Sequence, residues 1–380
     1  QDLEDDKLDL VTISMPPGVG KLIADDTPVL TTKGWKRHGD LMVGDMVYGR
    51  GGQAVKVKHV FPKHYAEYEV AFSNGEIVKC HGDHEWVLWD RSSNSERVVD
   101  THYLAKLKLS SGEEGKRGHR HRFLLPNLPP IDGESVKLYV PPYTLGAWLG
   151  DGSIHKPSVT IPFSDRAVID SIERDGYDLS TIHVHKDTGC PTFSFKKLRG
   201  DLQKYGMCHS RQTWEKRIPE VYLTASFDQR LELLAGLLDT DGTLSRGKYP
   251  KYQWSTTSEL LRDDFMALVS TFGLRVGYTE YAPRLSSGGV QGRSTVYVVQ
   301  FTPQFEIPCR LERKRLTSFG KPRRIGLCSV KRVERERGNC IEVEGGVYRV
   351  GRSMIPTHNS TLAIFYLSWI MGRCPDMPNL

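Results

Sequence analysis

Residues 8–15 (LDLVTISM) form a short β-rich run that stops at a proline pair and a glycine-rich turn. At the far end, residues 362–372 read LAIFYLSWIMG, an apolar helical stretch that Gly372 can cap. Two further apolar helical runs lie between them, YTLGAWLGDG over residues 143–152 and LAGLLDTDG over residues 234–242. Each carries small residues spaced so that two helices can touch closely. Each ends in Asp-Gly, which predicts a carboxylate at the helix foot with a turn after it. Standing roughly ninety residues apart, the pair reads as an internal pseudo-repeat. Ser255-Thr256-Thr257-Ser258 and the run through Gly273 predict a strand and a helix after the second motif. Pro129-Pro130 and the small polar residues around Gly133 predict a linker.

The chain has 380 residues, enough for two or three domains, with 38% hydrophobic and 9% aromatic content. No apolar run is long enough to cross a bilayer, and the acidic opening residues do not resemble a signal peptide. The expectation is therefore a cytoplasmic protein. Seven scattered cysteines, with no CxxC pair, do not form a disulfide framework. Any one of them can serve as a nucleophile. The net charge of +6 is unevenly spread, with basic runs over residues 116–122 and 310–324. Such runs permit nucleic-acid contact, although most are simply solvated.

The two ends belong together. The run over residues 8–15 leads into Pro16-Pro17-Gly18-Val19-Gly20-Lys21, the first half of a loop whose backbone N–H groups and lysine cradle phosphate. A Ser or Thr and a helix should follow, but Leu22 follows instead. Ser360-Thr361 and the apolar helix supply the missing half. Joined, the ends place Gly20, Lys21, Ser360 and Thr361 in one phosphate-binding loop, with Met15 where the usual first glycine stands. The PPxxGKS form resembles the ATPase domain of phage terminase large subunits. Residues 22–359 then form an insertion.

The insertion closes on Thr357-His358-Asn359, followed by Ser360. An Asn side-chain amide can attack its own carbonyl and cut the chain as a succinimide. His358 can assist by proton donation, and Ser360 can carry an acyl group as an ester. These residues, with the blocks IADDTPV at 23–29, GEIVKCHGDH at 75–84 and NCIEV at 339–343, resemble the splicing blocks of inteins. Most inteins begin with Cys or Ser, and Leu22 departs from this. Trp86, Cys340 and Thr357 together resemble the Trp-Cys-Thr signature of class 3 inteins, in which an internal cysteine attacks the N-terminal junction. The competing reading is that Leu22 replaces an original cysteine. The resemblance implies that Cys340 attacks the Lys21 carbonyl, that His84 protonates the leaving amine of Leu22, and that Trp86 shapes the pocket of Cys340. It also implies that His358 assists cyclisation of Asn359 and that no cofactor is needed for splicing. The His usual upstream of the terminal His-Asn is missing, with Val347 and Tyr348 near its place. Taken singly, His84 reads as a core histidine, and Cys340 and Trp86 as core. Cys80, His81 and His84 suggest zinc but lack a fourth ligand.

The second helical run departs from the string LAGLIDADG at only two positions, and both runs resemble the LAGLIDADG homing endonucleases. That resemblance implies paired helices bringing Asp151 and Asp241 together to hold Mg²⁺ over the scissile phosphates of double-stranded DNA. Lys216-Arg217-Ile218-Pro219 matches the family's Lys-x-Ile-Pro block. Lys216 can polarise a water, steady phosphate charge, or be an ordinary surface lysine. The basic residues 313–315 and 323–324 are candidate phosphate contacts.

The expected fold is a mostly β, horseshoe-like Hint splicing domain with an inserted α+β LAGLIDADG endonuclease. The expected divisions are an N-extein fragment (1–21), a first splicing part (22–128), the endonuclease (137–320), a second splicing part (327–359) and a C-extein fragment (360–380). Expected partners are the DNA homing site and the flanking extein segments, with no membrane. The expected state is a monomer in a phage-infected bacterial cell. The alternative is a splicing-defective intein that acts only as a DNA endonuclease or DNA-binding protein.

Overall fold

Strands from opposite ends of the chain meet in one barrel. The structure, a computed structural model, describes residues 21–112, 118–186, 188–208, 216–247, 250–283 and 294–358. The short strand Ile23–Ala24 pairs antiparallel with the long strand Leu327–Asn339, with Ile23 opposite Asn339. That strand pairs with His64–Phe72, which pairs with Ile77–Cys80, and Ile77–Cys80 returns to Ile23 and closes the barrel. A second sheet runs Phe123–Leu124, Glu85–Asp90, Ile355–His358, Val347–Val350, with Ser95–Asp100 also paired to Glu85–Asp90. A third joins Ile341–Val343 to Ala54–Val60, Met46–Tyr48, Pro28–Thr31 and Gly34–Arg37. Valine, isoleucine and aromatic residues dominate these strands, as half-buried pleated surfaces require. One core, including Ile23, Val57, Val70, Trp86, Leu88 and Ile341, fills the body. This body is mostly β, as expected, and is built from two separated stretches of sequence.

Between them lies an α+β unit. The helix Pro142–Asp151 is followed by a sheet in the order Ser158–Thr160, Pro191–Phe195, Leu179–Val184 and by the helix Arg166–Arg174. The helix Phe227–Asp241 is followed by a sheet in the order Gly242–Ser245, Lys251–Thr256, Val296–Phe301, Val276–Tyr281 and by the helix Glu259–Thr271. The repeated helix–sheet–helix plan is the pseudo-repeat. Ser226 starts the helix Phe227–Asp241 with a capping box completed by Gln229, and Ser258 caps the helix Glu259–Thr271.

The expected turn does not follow Asp-Gly directly. Gly152 and Gly242 are extended, and Gly242 opens a strand directly. Glycine is required there for space, since a Cβ would meet the Trp148 carbonyl oxygen at 2.2 Å or the Leu238 carbonyl oxygen at 2.5 Å.

The expected linker is also no free tether. Arg230 and Arg349, both buried, hold it in place. Arg230 donates to the carbonyls of Ala225, Thr271 and Ile131, and Arg349 to those of Gly49, Arg50 and Pro129. Burial pushes both guanidinium groups down to about 10, still far above neutrality, so both stay charged. Arg230→Met should therefore lower stability by about 2–4 kcal/mol, because buried carbonyls at Ala225 and Ile131 lose their charged donor. An unchanged urea midpoint would refute the clamp.

Candidate functional site: the junction cluster and the helix feet

The register of the first barrel strand decides where the N-terminal junction lies. Because Ile23 faces Asn339, the next residue on that side, Cys340, comes to the junction. Leu22, Ala24, Ala66 and Cys340 form one buried cluster with Phe61 against it. Leu22 has no accessible surface and Cys340 is 2% exposed. The peptide bond between Lys21 and Leu22 is held from both sides. The Lys21 carbonyl oxygen lies 2.8 Å from His84 Nδ1, and the Leu22 carbonyl accepts from the His81 N–H.

His84 is itself oriented. Its Nε2 lies 2.5 Å from Thr357 Oγ1. A carbonyl can only accept, so Nδ1 carries the proton and the Thr357 hydroxyl donates to Nε2. Burial pushes the imidazole down to about 3, with the Lys21 carbonyl acting weakly the other way. His84 is therefore neutral at physiological pH. It acts as a hydrogen-bond donor to the carbonyl, and protonation of the Leu22 amine by a His84 imidazolium does not fit this geometry.

Trp86 faces Thr357 across the strand pair, and its ring stands edge-on to His84 at 4.8 Å and to Phe72 at 5.7 Å. Its Nε1 donates to Thr101 Oγ1. It thus walls in His84 and belongs to the main β core, whereas Cys340 sits in the separate junction cluster. His358 Nδ1 lies 3.4 Å from Glu85 Oε2. Gly20, Asn359, Ser360 and Thr361 lie outside the described residues, as do residues 8–15 and 362–372.

Sequence reasoning missed two residues of this region, His38 and Thr101. His38 Nδ1 is 2.8 Å from Asn339 Oδ1, and its Nε2 is 2.6 Å from the Tyr348 hydroxyl. Burial pushes His38 down to about 4. This buried triad fixes Asn339, the neighbour of Cys340. Thr101 accepts from Trp86 and donates to the His84 carbonyl. His38 lies between two of the quoted sequence blocks, and only folding brings it to Asn339. Of the Cys80, His81 and His84 set, the Cys80 thiol is pushed up to about 12 by burial and both His84 nitrogens are used in hydrogen bonds.

The second candidate site is the foot of the paired helices. Gly146 and Gly236 let the backbones touch: a Cβ would meet the Leu233 carbonyl oxygen or the Tyr143 carbonyl oxygen, each at 2.3 Å. Asp151 and Asp241 end the two helices. A Cβ on Gly150 would stand 3.3 Å from Asp241 Oδ2, so the second carboxylate lies against the foot of the first helix. Asp241 keeps an exposed side and lines a cleft with Lys216, Gly150 and Ser255. Asp151 is pushed up to about 7 by burial and then by Asp241, and Asp241 is raised by burial as well.

Lys216 is no surface lysine. Its ammonium donates to the carbonyls of Leu149 and Gly150, capping the negative end of the first helix, and burial pushes it down to about 8. Lys314 does the same for the second helix through the Leu238, Asp239 and Thr240 carbonyls. The repeated Lys-Arg at 216–217 and 314–315 was the available signal for it. The basic run there is consumed internally: Arg310 pairs with Glu232, Arg313 with Asp165, and Arg315 donates to the Cys309 carbonyl. Arg324 lies over the Trp89 ring. Of residues 313–315, Lys314 is buried, whereas Arg313 and Arg315 keep exposed side chains beside these internal partners.

Asp241 in the cleft, with Asp151 close enough to feel its charge, offers oxygen ligands of the kind a divalent cation takes. A raised Asp151 contributes stability that is fully present below its unfolded value near pH 4 and is lost as pH rises through about 7. Without divalent cations, melting temperature should therefore fall over that range, Mg²⁺ should restore it at pH 8, and Asp151→Asn should abolish both effects. Melting curves at pH 8 that ignore Mg²⁺ would contradict this.

Residues 228–298 match the family model of the LAGLIDADG-like domain. The replicative DNA helicase DnaB of Mycobacterium intracellulare is 31% identical over 385 residues, covering 94% of this chain and 62% of the helicase. The chain thus spans less than two thirds of that relative. Among solved structures, the MchDnaB-1 intein shares 28% identity over 22% of this chain and 60% of its own, at a TM-score of 0.19. A complex of I-DmoI with nicked target DNA and manganese shares 14% identity over 43% of this chain and 88% of its own, at 0.28. The terminase resemblance has no counterpart in these comparisons, which bring a helicase instead. The chain is similar to a LAGLIDADG-like domain over its second cleft helix and sheet, and to a mycobacterial replicative helicase over nearly its whole length.

Proposed function

We propose that the chain is a self-splicing intein carrying a divalent-metal-dependent homing endonuclease. It excises residues 22–359 and joins Lys21 to Ser360 of a host ATPase. One observation carries the splicing reading: a neutral, oriented imidazole holds the Lys21 carbonyl while Cys340 lies beside the buried Leu22.

The Cys340 thiolate adds to the Lys21 carbonyl carbon, and the developing oxyanion is met by His84 Nδ1–H. Collapse breaks the bond to Leu22 nitrogen, which leaves as an amine with the proton the thiol lost. This gives a branched thioester on Cys340. The Ser360 hydroxyl takes the acyl group as an ester and frees the thiol. Asn359 cyclises, assisted by His358, and cuts its bond to Ser360. The freed Ser360 amine then displaces the ester oxygen to form the Lys21–Ser360 amide.

At the helix feet, Asp151 and Asp241 would hold Mg²⁺, which supplies a Lewis acid and an activated water at a phosphodiester. Lys216 and Lys314 keep the two carboxylate-bearing helix ends in place. The DNA partner is a proposal from the LAGLIDADG match and the DNA-bound neighbour.

Intact mass of the expressed chain tests splicing. The unaltered chain should yield residues 1–21 joined to 360–380 and a free 22–359 segment, both lost in Cys340→Ala. A stable full-length chain in both would leave only the DNA-directed alternative, for which the absent nucleophile at Leu22 is the supporting observation. His84→Ala should slow the first step roughly 10²-fold. Thr357→Val should slow it about tenfold by releasing the tautomer, and equal rates in all three chains would remove His84 from the mechanism.

A further inference from the structure

Glu85 opens the strand Glu85–Asp90, one residue before Trp86. Alternation along the strand sends Trp86 into the core and leaves Glu85 on the junction side, about a third exposed. A single carboxylate oxygen, Oε2, lies 2.7 Å from Lys21 Nζ and 3.4 Å from His358 Nδ1. Lys21 is the last residue before the insertion, and His358 stands next to its last residue. One carboxylate therefore grips the flanks of both cuts, although the two are far apart in sequence.

We propose that Glu85 is a specificity-determining and positioning residue for splicing: it reads a basic side chain at position 21 and uses it to align the Lys21 carbonyl with His358 and the C-terminal junction. The inference rests on the splicing reading and deepens it. Two points of attachment fix Lys21, its carbonyl on His84 and its ammonium on Glu85. His84 and Glu85 are consecutive on one backbone, so side-chain recognition and carbonyl polarisation are mechanically joined. Sub-ångström alignment of a reacting carbonyl governs rate, so the ion pair acts on the first step through position rather than through chemistry. The same contact occupies the ammonium that, in the joined phosphate loop, would face phosphate. The host lysine is thus neutralised by Glu85 until the insertion leaves.

A double-mutant cycle on the full chain tests this, with the rate of Lys21–Leu22 bond opening read from the thiol-released 1–21 segment in an Asn359→Ala background. Lys21→Met should slow opening roughly fivefold, the scale of a partly exposed ion pair. Lys21→Arg should keep the rate, and Lys21→Glu should lose more than Lys21→Met. In Glu85→Gln the difference between Lys21 and Met at that position should vanish, while melting temperature and DNA binding stay unchanged as controls on folding. Opening that proceeds with additive effects of Lys21→Met and Glu85→Gln would overturn the Glu85 assignment and leave the splicing reading intact. No opening in any chain, the unaltered one included, would overturn both. Loss of rate in Glu85→Gln that is equal for Lys21 and Met would assign Glu85 to His358 alone and refute recognition of position 21.

Discussion

The arrangement depends on a buried imidazole that cannot easily gain a proton. His84 has no accessible surface, and its two nitrogens join the residue before the insertion to a residue near its end. Burial makes the ring neutral, neutrality leaves one donor and one acceptor, and Thr357 decides which is which. The barrel serves this bond. Strand Ile23–Ala24 is too short to hold a junction by itself, so it is inserted between Leu327–Asn339 and Ile77–Cys80, which fixes Lys21 and Leu22 on either side. A buried leucine at position 22 fits such a frame: it packs with Ala24, Ala66 and Cys340 and anchors the bond without taking part chemically.

The two bodies of the molecule solve separate electrostatic problems. At the junction, His84 is neutral and desolvated, with charge on the partly exposed Lys21 and Glu85. At the helix feet, two carboxylates end neighbouring helices, and two lysines hold the helix-end carbonyls. The clamped segment around Pro129 and Ile131 lets these two sites share a chain without a loose tether.

Much of this was legible in the sequence where chemistry is local. Asp-Gly at the ends of two small-residue helices carries its meaning in a few adjacent letters, and the structure places both carboxylates at helix feet. What was not legible depends on distant pairing. His38 and Asn339 are three hundred residues apart, joined only by the barrel. Trp86 was expected beside Cys340, but strand alternation turns it towards His84 and Phe72. The basic residues near Arg313 were read as free charge because their acidic partners, Asp165 and Glu232, are remote in sequence. The anchoring of the Pro-Pro segment was not legible for the same reason, since the arginines that hold it come from residues 230 and 349.

The central claim is that Cys340 opens the bond after Lys21 while the chain stays in one piece. The most direct measurement is α-amine labelling and peptide mapping of the Asn359→Ala chain, paired with its intact mass. The account requires a labelled amine at Leu22, an intact mass equal to the full chain under mildly acidic denaturing conditions, and loss of both the label and its thiol-releasable 1–21 segment in Cys340→Ala. A chain with no new amine at Leu22, or one whose Leu22 amine appears equally in Cys340→Ala, would contradict it.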